Sequence, residues 1–174
     1  MRIIDLTLPI YTGMPVFPGD PEASVEVIQT IEKDGWEMRR LHINGHDGTH
    51  VNVPSHAVSG GKTLDGYTLD AFIGEAVLFT SKDDIQKGKG VIFSTRDITE
   101  EIAGIILERK PKFVGLASEF DFNLNAEKTL LEGGIISYER LANTEQLPER
   151  FTFYGVPLKI LDGDGSPVRA FAVV

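Results

Sequence analysis

The sequence predicts a mixed α/β domain built on a mixed sheet. Strand candidates outnumber helix candidates, and the helices do not alternate regularly with strands, which argues against a doubly wound parallel sheet. The 174 residues contain no internal repeat and no Pro/Gly/Ser linker long enough to separate two units. One domain over residues 1–174 is therefore expected, since length divided by roughly 150 residues sets the prior on domain count.

Eight segments read as strands: 2–8, 23–31, 36–44, 74–80, 112–117, 134–138, 151–160 and 168–174. Each is rich in Val, Ile, Phe or Tyr and is bounded by turn residues. Between the first two lies GMPVFPGDP (13–21), a loop, because its prolines cannot donate to a central ladder. Two segments read as helices. In RDITEEIAGIILERK (96–110), Ile98, Ile102, Ile105 and Ile106 recur at helical spacing. Asp97 and Glu100 suggest a capping box there, and Pro111 a stop. In NAEKTLLEGG (125–134), Asn125 is the expected cap and Gly133 the expected terminator.

Composition narrows the function classes. Hydrophobic residues make up 41% and charged residues 25%, ordinary globular usage that excludes wholesale disorder. No run approaches the ~18 apolar residues of a spanning helix, so no membrane partner is expected. Seventeen basic against 26 acidic residues give a net charge of −9 without a Lys/Arg cluster, which disfavours nucleic acid as a partner. The absence of cysteine excludes thiol catalysis, disulfides and cysteine-ligated zinc. The start, MRIIDLTLPI, lacks the features of a secretory signal, and a cytoplasmic location is expected.

All four histidines fall within HINGHDGTHVNVPSH (42–56). His50 and Asn52 are two apart, so in an extended segment they share one face while Val51 and Val53 face a core. His46 lies four residues before His50, about 13 Å away in a straight strand and too far to share a metal. Asp47-Gly48 is a strong turn dipeptide, and a turn there returns His46 toward His50. Pro54 ends the extended segment and leaves His56 just beyond. Neutral imidazoles gathered this way suit a divalent cation with a further histidine for proton transfer. His42 precedes the turn and is not expected to join the group. Trp36, the only tryptophan, is expected in the core or at an interface.

The run HDGTHVNVPSH (46–56) resembles the signature H-x-G-T-H-x-D-x-P-x-H of the metal-dependent cyclase/hydrolase family that includes bacterial kynurenine formamidase (arylformamidase). DLTLPIYTGMPVFPGDP is similar to the family's opening, and VPLKILDGDGSPVRAFAVV to its closing segment. The resemblance implies a swivelling β/β/α fold, often as a homo-oligomer (dimer or tetramer), with one or two divalent ions, zinc or manganese. It places metal ligands at His46, His50 and Glu139 and proton transfer at His56. The family's bridging aspartate falls on Asn52, and a histidine ligand of the second metal falls on Glu127. One departure removes a carboxylate and the other restores one, so the formal charge of the site is kept. Phe17 stands where formamidases usually carry a tryptophan, and with Pro18 it would shape the substrate pocket.

The activity implied is hydrolysis of a carbon–nitrogen bond in an aryl formamide, amide or cyclic amide. Opening or closure of a lactone-like ring is the alternative within the family, and a non-catalytic metal- or ligand-binding protein the alternative outside it. No nucleophile elbow, dinucleotide fingerprint or P-loop competes.

Overall fold

Short runs of β-branched and aromatic residues become eleven strands in the computed structural model, which describes residues 1–174. In chain order they are β1 (Ile3–Asp5), β2 (Ser24–Gln29), β3 (Met38–His42), β4 (His50–Asn52), β5 (Ile73–Leu78), β6 (Gly90–Phe93), β7 (Phe113–Ala117), β8 (Ile136–Leu141), β9 (Arg150–Tyr154), β10 (Gly165–Pro167) and β11 (Phe171–Val173). The α-helices are α1 (Ile31–Asp34), α2 (Glu100–Arg109) and α3 (Leu124–Glu132).

Nine strands form one sheet in the order β1-β11-β9-β5-β6-β7-β8-β4-β10. The central run β5-β6-β7-β8 is parallel and every other pairing is antiparallel. This is the mixed α/β arrangement the sequence predicts. The two inner parallel strands, β6 and β7, are short and wholly buried, as expected where both sheet faces are covered.

Alternation divides their side chains between two cores. Val91, Phe93, Val114 and Leu116 pack with Ala103 and Ile106 of α2 and Ala126 and Leu130 of α3. Ile92, Phe113, Tyr138 and Phe153 point the other way, with Val51 and Val53. That second core also takes Ile4 and Ala172 from the far end of the sheet, so the sheet must curl. Hydrogen bonds from Leu6 N–H to the Ala170 carbonyl and from Ala142 N–H to the Leu6 carbonyl draw its ends together.

Several boundaries differ from those expected. β4, β6 and β10 are not among the eight strand candidates, though His50 and Asn52 are expected in an extended segment: β4 has three residues, β6 four beginning at glycine, and β10 reads Gly-Ser-Pro. The candidate 151–160 stops at Tyr154, because Gly155 and Pro157 follow. The cap of α2 is Thr99, whose Oγ1 accepts from Ile102 N–H at 3.4 Å, and not Asp97. Asp97 instead accepts from Asp121 N–H at 3.0 Å. Likewise α3 is capped by Asn123, which accepts from the backbone N–H groups of Asn125 and Ala126. Asn125 lies inside the helix. Pro111 does follow the end of α2, and Gly133 does close α3.

β2 and β3 form a separate hairpin outside the main sheet. Trp36 sits in the bend before β3 and is 64% exposed, donating to Gln29 Oε1 at 3.2 Å. The hairpin has no second layer to bury it, so the core half of the expectation for Trp36 fails.

Phe153 packs against Phe113 and Tyr138 with ring centroids 5.0 and 4.8 Å away, and all three are fully buried. Phe153→Ala should lose about 3–5 kcal/mol of stability, through lost transfer energy and the cavity left behind. Urea unfolding monitored by far-UV circular dichroism checks this.

Candidate active site

β4 is the strand on which the site is built. It pairs with β8 on one side and β10 on the other, placing His50 opposite Glu139, Asn52 opposite Ser137, and Asn52 also opposite Gly165. Val51 and Val53 enter the core, so His50 and Asn52 take the other face, as their spacing predicts. Both are nonetheless buried, His50 in the lining of a cleft of about 1100 Å³ and Asn52 beneath it.

The turn at Asp47-Gly48 forms as expected. Gly48 adopts φ +63°, a left-handed conformation that favours glycine, and a Cβ there would stand 3.1 Å from Met14 Cε. The Asp47 carboxylate secures the turn by accepting from Asn44 N–H at 2.7 Å. His46 is thereby returned to its neighbours, with ring centroids 5.4 Å from His50 and 3.9 Å from His56. Its ring lies on Gly165, where a Cβ would come within 2.7 Å of His46 Nδ1. His42 is apart from this group, exposed on the hairpin and 3.6 Å from Glu26.

Glu127 comes from α3. Leu130 and Leu131 of that helix are buried, and Glu127 on the same side reaches the site, as helical spacing suggests. Its Oε1 accepts from Asn52 Nδ2 at 2.6 Å and from Ser137 Oγ at 2.8 Å. Glu139 Oε1 accepts from Asn52 Nδ2 at 2.8 Å and lies 3.2 Å from His50 Nε2. Arg140 does not pair with Glu139: it sits at φ 58° and turns its guanidinium to Asp121.

The charges in this group depend on one another. Burial alone would raise the Glu139 pKa, but His50 and Asn52 outweigh it and bring it to about 2. Burial likewise disfavours charge on His50, yet the hydrogen bond and charge of Glu139 win, and its pKa is raised. Glu127 is pushed up, first by burial and then by the neighbouring Glu139 charge. Burial, followed by the nearby His46, lowers the pKa of His56, against the pull of Asp164.

Asp164 is a site residue not picked out from the sequence. Its Oδ2 lies 3.0 Å from His46 Nε2 and 3.2 Å from His56 Nδ1. The ligand atoms of His46, His56 and Asp164 all fall within 4.8 Å of one another. The available signal was an acid between two glycines in the segment that resembles the family's closing motif; only the pairing of β10 with β4 brings it to the histidines. Thr49 was also missed. It is buried, donates to the Arg140 carbonyl at 2.6 Å and accepts from Leu8 N–H, tying the N-terminal segment to β8. Phe17, 63% exposed, and Pro18 line the cleft with Tyr11 and Leu124.

The donor chemistry suits a divalent cation. His50 Nδ1 faces the Gly48 carbonyl at 2.8 Å, and His46 Nδ1 faces Asn52 Oδ1 at 2.7 Å. Each Nδ1 therefore carries a hydrogen, which leaves Nε2, beside a carboxylate, as the nitrogen a cation would take. This is how second partners usually orient metal-binding histidines.

The kynurenine formamidase of Salinibacter ruber is 26% identical over 204 aligned residues, covering 98% of this chain and 96% of that protein. That of Bacillus cereus is 23% identical over 198, covering 96% and 95%. A solved structure described as a "potential metal-dependent hydrolase with cyclase activity" superposes with a TM-score of 0.81 at 26% identity, over 98% and 96% of the two chains. Isatin hydrolase A from Labrenzia aggregata shares the fold, with a TM-score of 0.85 at 24% identity over 99% and 93%. Residues 4–147 match the family model described as "Putative cyclase". The chain belongs to the cyclase family and is a hydrolase within it.

Proposed function

We propose that the protein is a metal-dependent hydrolase of a carbon–nitrogen bond in an aryl formamide or related amide. The observation that carries this reading is a pair of histidines, His46 and His50, with Nδ1 tied to an acceptor oxygen and Nε2 beside a carboxylate in one cleft. His46, His50 and Glu139 would hold the cation, zinc or manganese, with Asn52 and Glu127 beside this set. When bound, such a cation supplies Lewis acidity that polarises an amide carbonyl and makes water a better nucleophile.

His56 is the acid–base residue of this reading. It lines the cleft, and its side chain remains 35% exposed. With its pKa lowered, it is neutral near pH 7 and free to take a proton. Donation from Nδ1–H to Asp164 Oδ2 fixes the tautomer and leaves Nε2 basic. Nε2 accepts a proton from the attacking water and later returns one to the departing nitrogen. Phe17 gives an aromatic ring of the substrate a face to lie on. The homo-oligomer implied by the family resemblance has a candidate contact in the β2–β3 hairpin. Val27, Trp36, Met38 and Leu41 are exposed there, and a lone two-stranded sheet is marginal in water.

A second reading is favoured by the close grouping of His46, His56 and Asp164, which would make His56 a ligand instead. His56→Ala separates the two. On the acid–base reading, turnover of aryl formamides falls by about 10²–10⁴-fold while metal content by elemental analysis is unchanged. Loss of metal together with turnover would favour the ligand reading, and unchanged turnover would remove His56 from the mechanism. A panel of formamides, cyclic amides and lactones assayed on the native enzyme decides between amide and ester chemistry. Phe17→Ala should raise KM for an aryl formamide by about 2–10-fold, the worth of one aromatic contact, and leave a small aliphatic formamide unaffected.

A further inference from the structure

Asn52 holds the centre of the site, and its two ends face different chemistry. Its amide nitrogen has two hydrogens, and both are used: one goes to Glu127 Oε1 at 2.6 Å and the other to Glu139 Oε1 at 2.8 Å. Two buried carboxylates that converge on one point need a proton, a hydrogen-bond donor or a cation between them. Here a neutral nitrogen with two polarised N–H bonds occupies that point. Asn52 is 1% exposed and its strand is paired on both edges, so the amide has no room to swing aside. The nitrogen end is fixed by the two acceptors, and the oxygen end must then face His46 Nδ1, at 2.7 Å. An amide oxygen only accepts, so His46 Nδ1 carries a hydrogen, and Nε2, 3.0 Å from Asp164 Oδ2, is the nitrogen left to meet a cation.

We propose that the Asn52 carboxamide takes the place of a cation between Glu127 and Glu139, so that the site binds a single metal ion, and that the same amide sets His46 to offer Nε2 to that ion. Asn52 is thus a positioning residue. Glu127 Oε1 is held by Asn52 and by Ser137 Oγ at 2.8 Å. An aspartate at position 52 would offer no hydrogen to either glutamate. The pocket would then gather three carboxylates and become a strong second cation site, since hard divalent ions favour clustered oxygen ligands. This inference rests on the metal reading of the site, and the test below separates the two.

The experiment is metal stoichiometry on protein purified without a metal-affinity tag, stripped with chelator, reloaded with excess Mn²⁺ and desalted. Elemental analysis should give one equivalent per chain for the native protein and two for Asn52→Asp. Electron paramagnetic resonance of the same samples should show an isolated-ion, six-line Mn²⁺ signal for the native protein and a spin-coupled signal for the variant. Two equivalents in the native protein would overturn the proposal without recourse to any variant. One equivalent in a folded Asn52→Asp protein would equally overturn it while leaving the metal reading intact. Uptake by neither protein would overturn the metal reading and the inference with it. Circular dichroism of the loaded variant establishes that it is folded, and Asn52→Leu supplies a second variant. Leucine can neither hold the glutamates nor orient His46, so tight uptake of one ion should be lost. Retention of one tightly bound ion in Asn52→Leu would remove Asn52 from the positioning role.

Discussion

The register between β4 and β8 is the constraint on which the site depends. It places His50 directly opposite Glu139, and it brings Asn52 beside Ser137, which in turn holds Glu127. A slip of one residue would turn His50 and Asn52 into the core and expose Val51 and Val53. Burial of those two valines therefore orients the polar side chains as surely as any hydrogen bond among them. The same strand is paired on its other edge with β10, and that pairing delivers Asp164 and gives the His46 ring a glycine to lie on. A three-residue strand in the middle of the polar cluster is tolerable only because both its edges are covered.

Ionisable groups placed this deep must be matched, because an unpaired buried charge costs far more than a buried pair. The cluster satisfies this internally. No buried polar side-chain atom in the chain lacks a hydrogen-bond partner. Glu139 and His50 pull each other toward the charged forms, one down to about 2 and the other upward, while Glu127 is driven the other way by burial and by Glu139. One carboxylate is firmly ionised and its neighbour resists ionisation, the usual outcome when two acids share one site. His46, His56 and Asp164 form a second, more open layer facing the cleft. The buried layer supplies rigidity, and the open layer supplies groups that can meet a substrate.

What was legible in the sequence followed distance along the chain. The face shared by His50 and Asn52, the return of His46 at Asp47-Gly48 and the inward turn of Glu127 all follow from local periodicity or turn chemistry, and each is present. Asp164 was not legible, because nothing local marks an acid that is carried to His46 from 118 residues away. β10, which carries it there, has no β-former among Gly-Ser-Pro and exists only through its partner β4. The helix caps fell two residues from where Asp97 and Asn125 suggested, since Thr99 and Asn123 are equally good cap residues by type and the packing of each helix on the sheet selects between them. Trp36 is not in the core, because a hairpin outside the main sheet offers none to its largest side chain.

Asn52 and Glu127, where the chain differs from the signature it resembles, form one hydrogen-bonded pair. An asparagine at 52 has two hydrogens to donate, and Glu127 accepts one of them at 2.6 Å. Retaining asparagine with a histidine at 127 would remove a carboxylate from the buried amide, and the remaining pair with Glu139 would carry the whole charge of the cluster. Retaining aspartate with glutamate at 127 would face three carboxyl groups toward one point without the amide hydrogens, a repulsion that protonation or a bound cation must offset. Each single change leaves an unmatched buried group, whereas together they close the hydrogen-bond network and keep two carboxylates. Substitutions at 52 and 127 are accordingly expected to be strongly non-additive, as they are for residues that share one polar network.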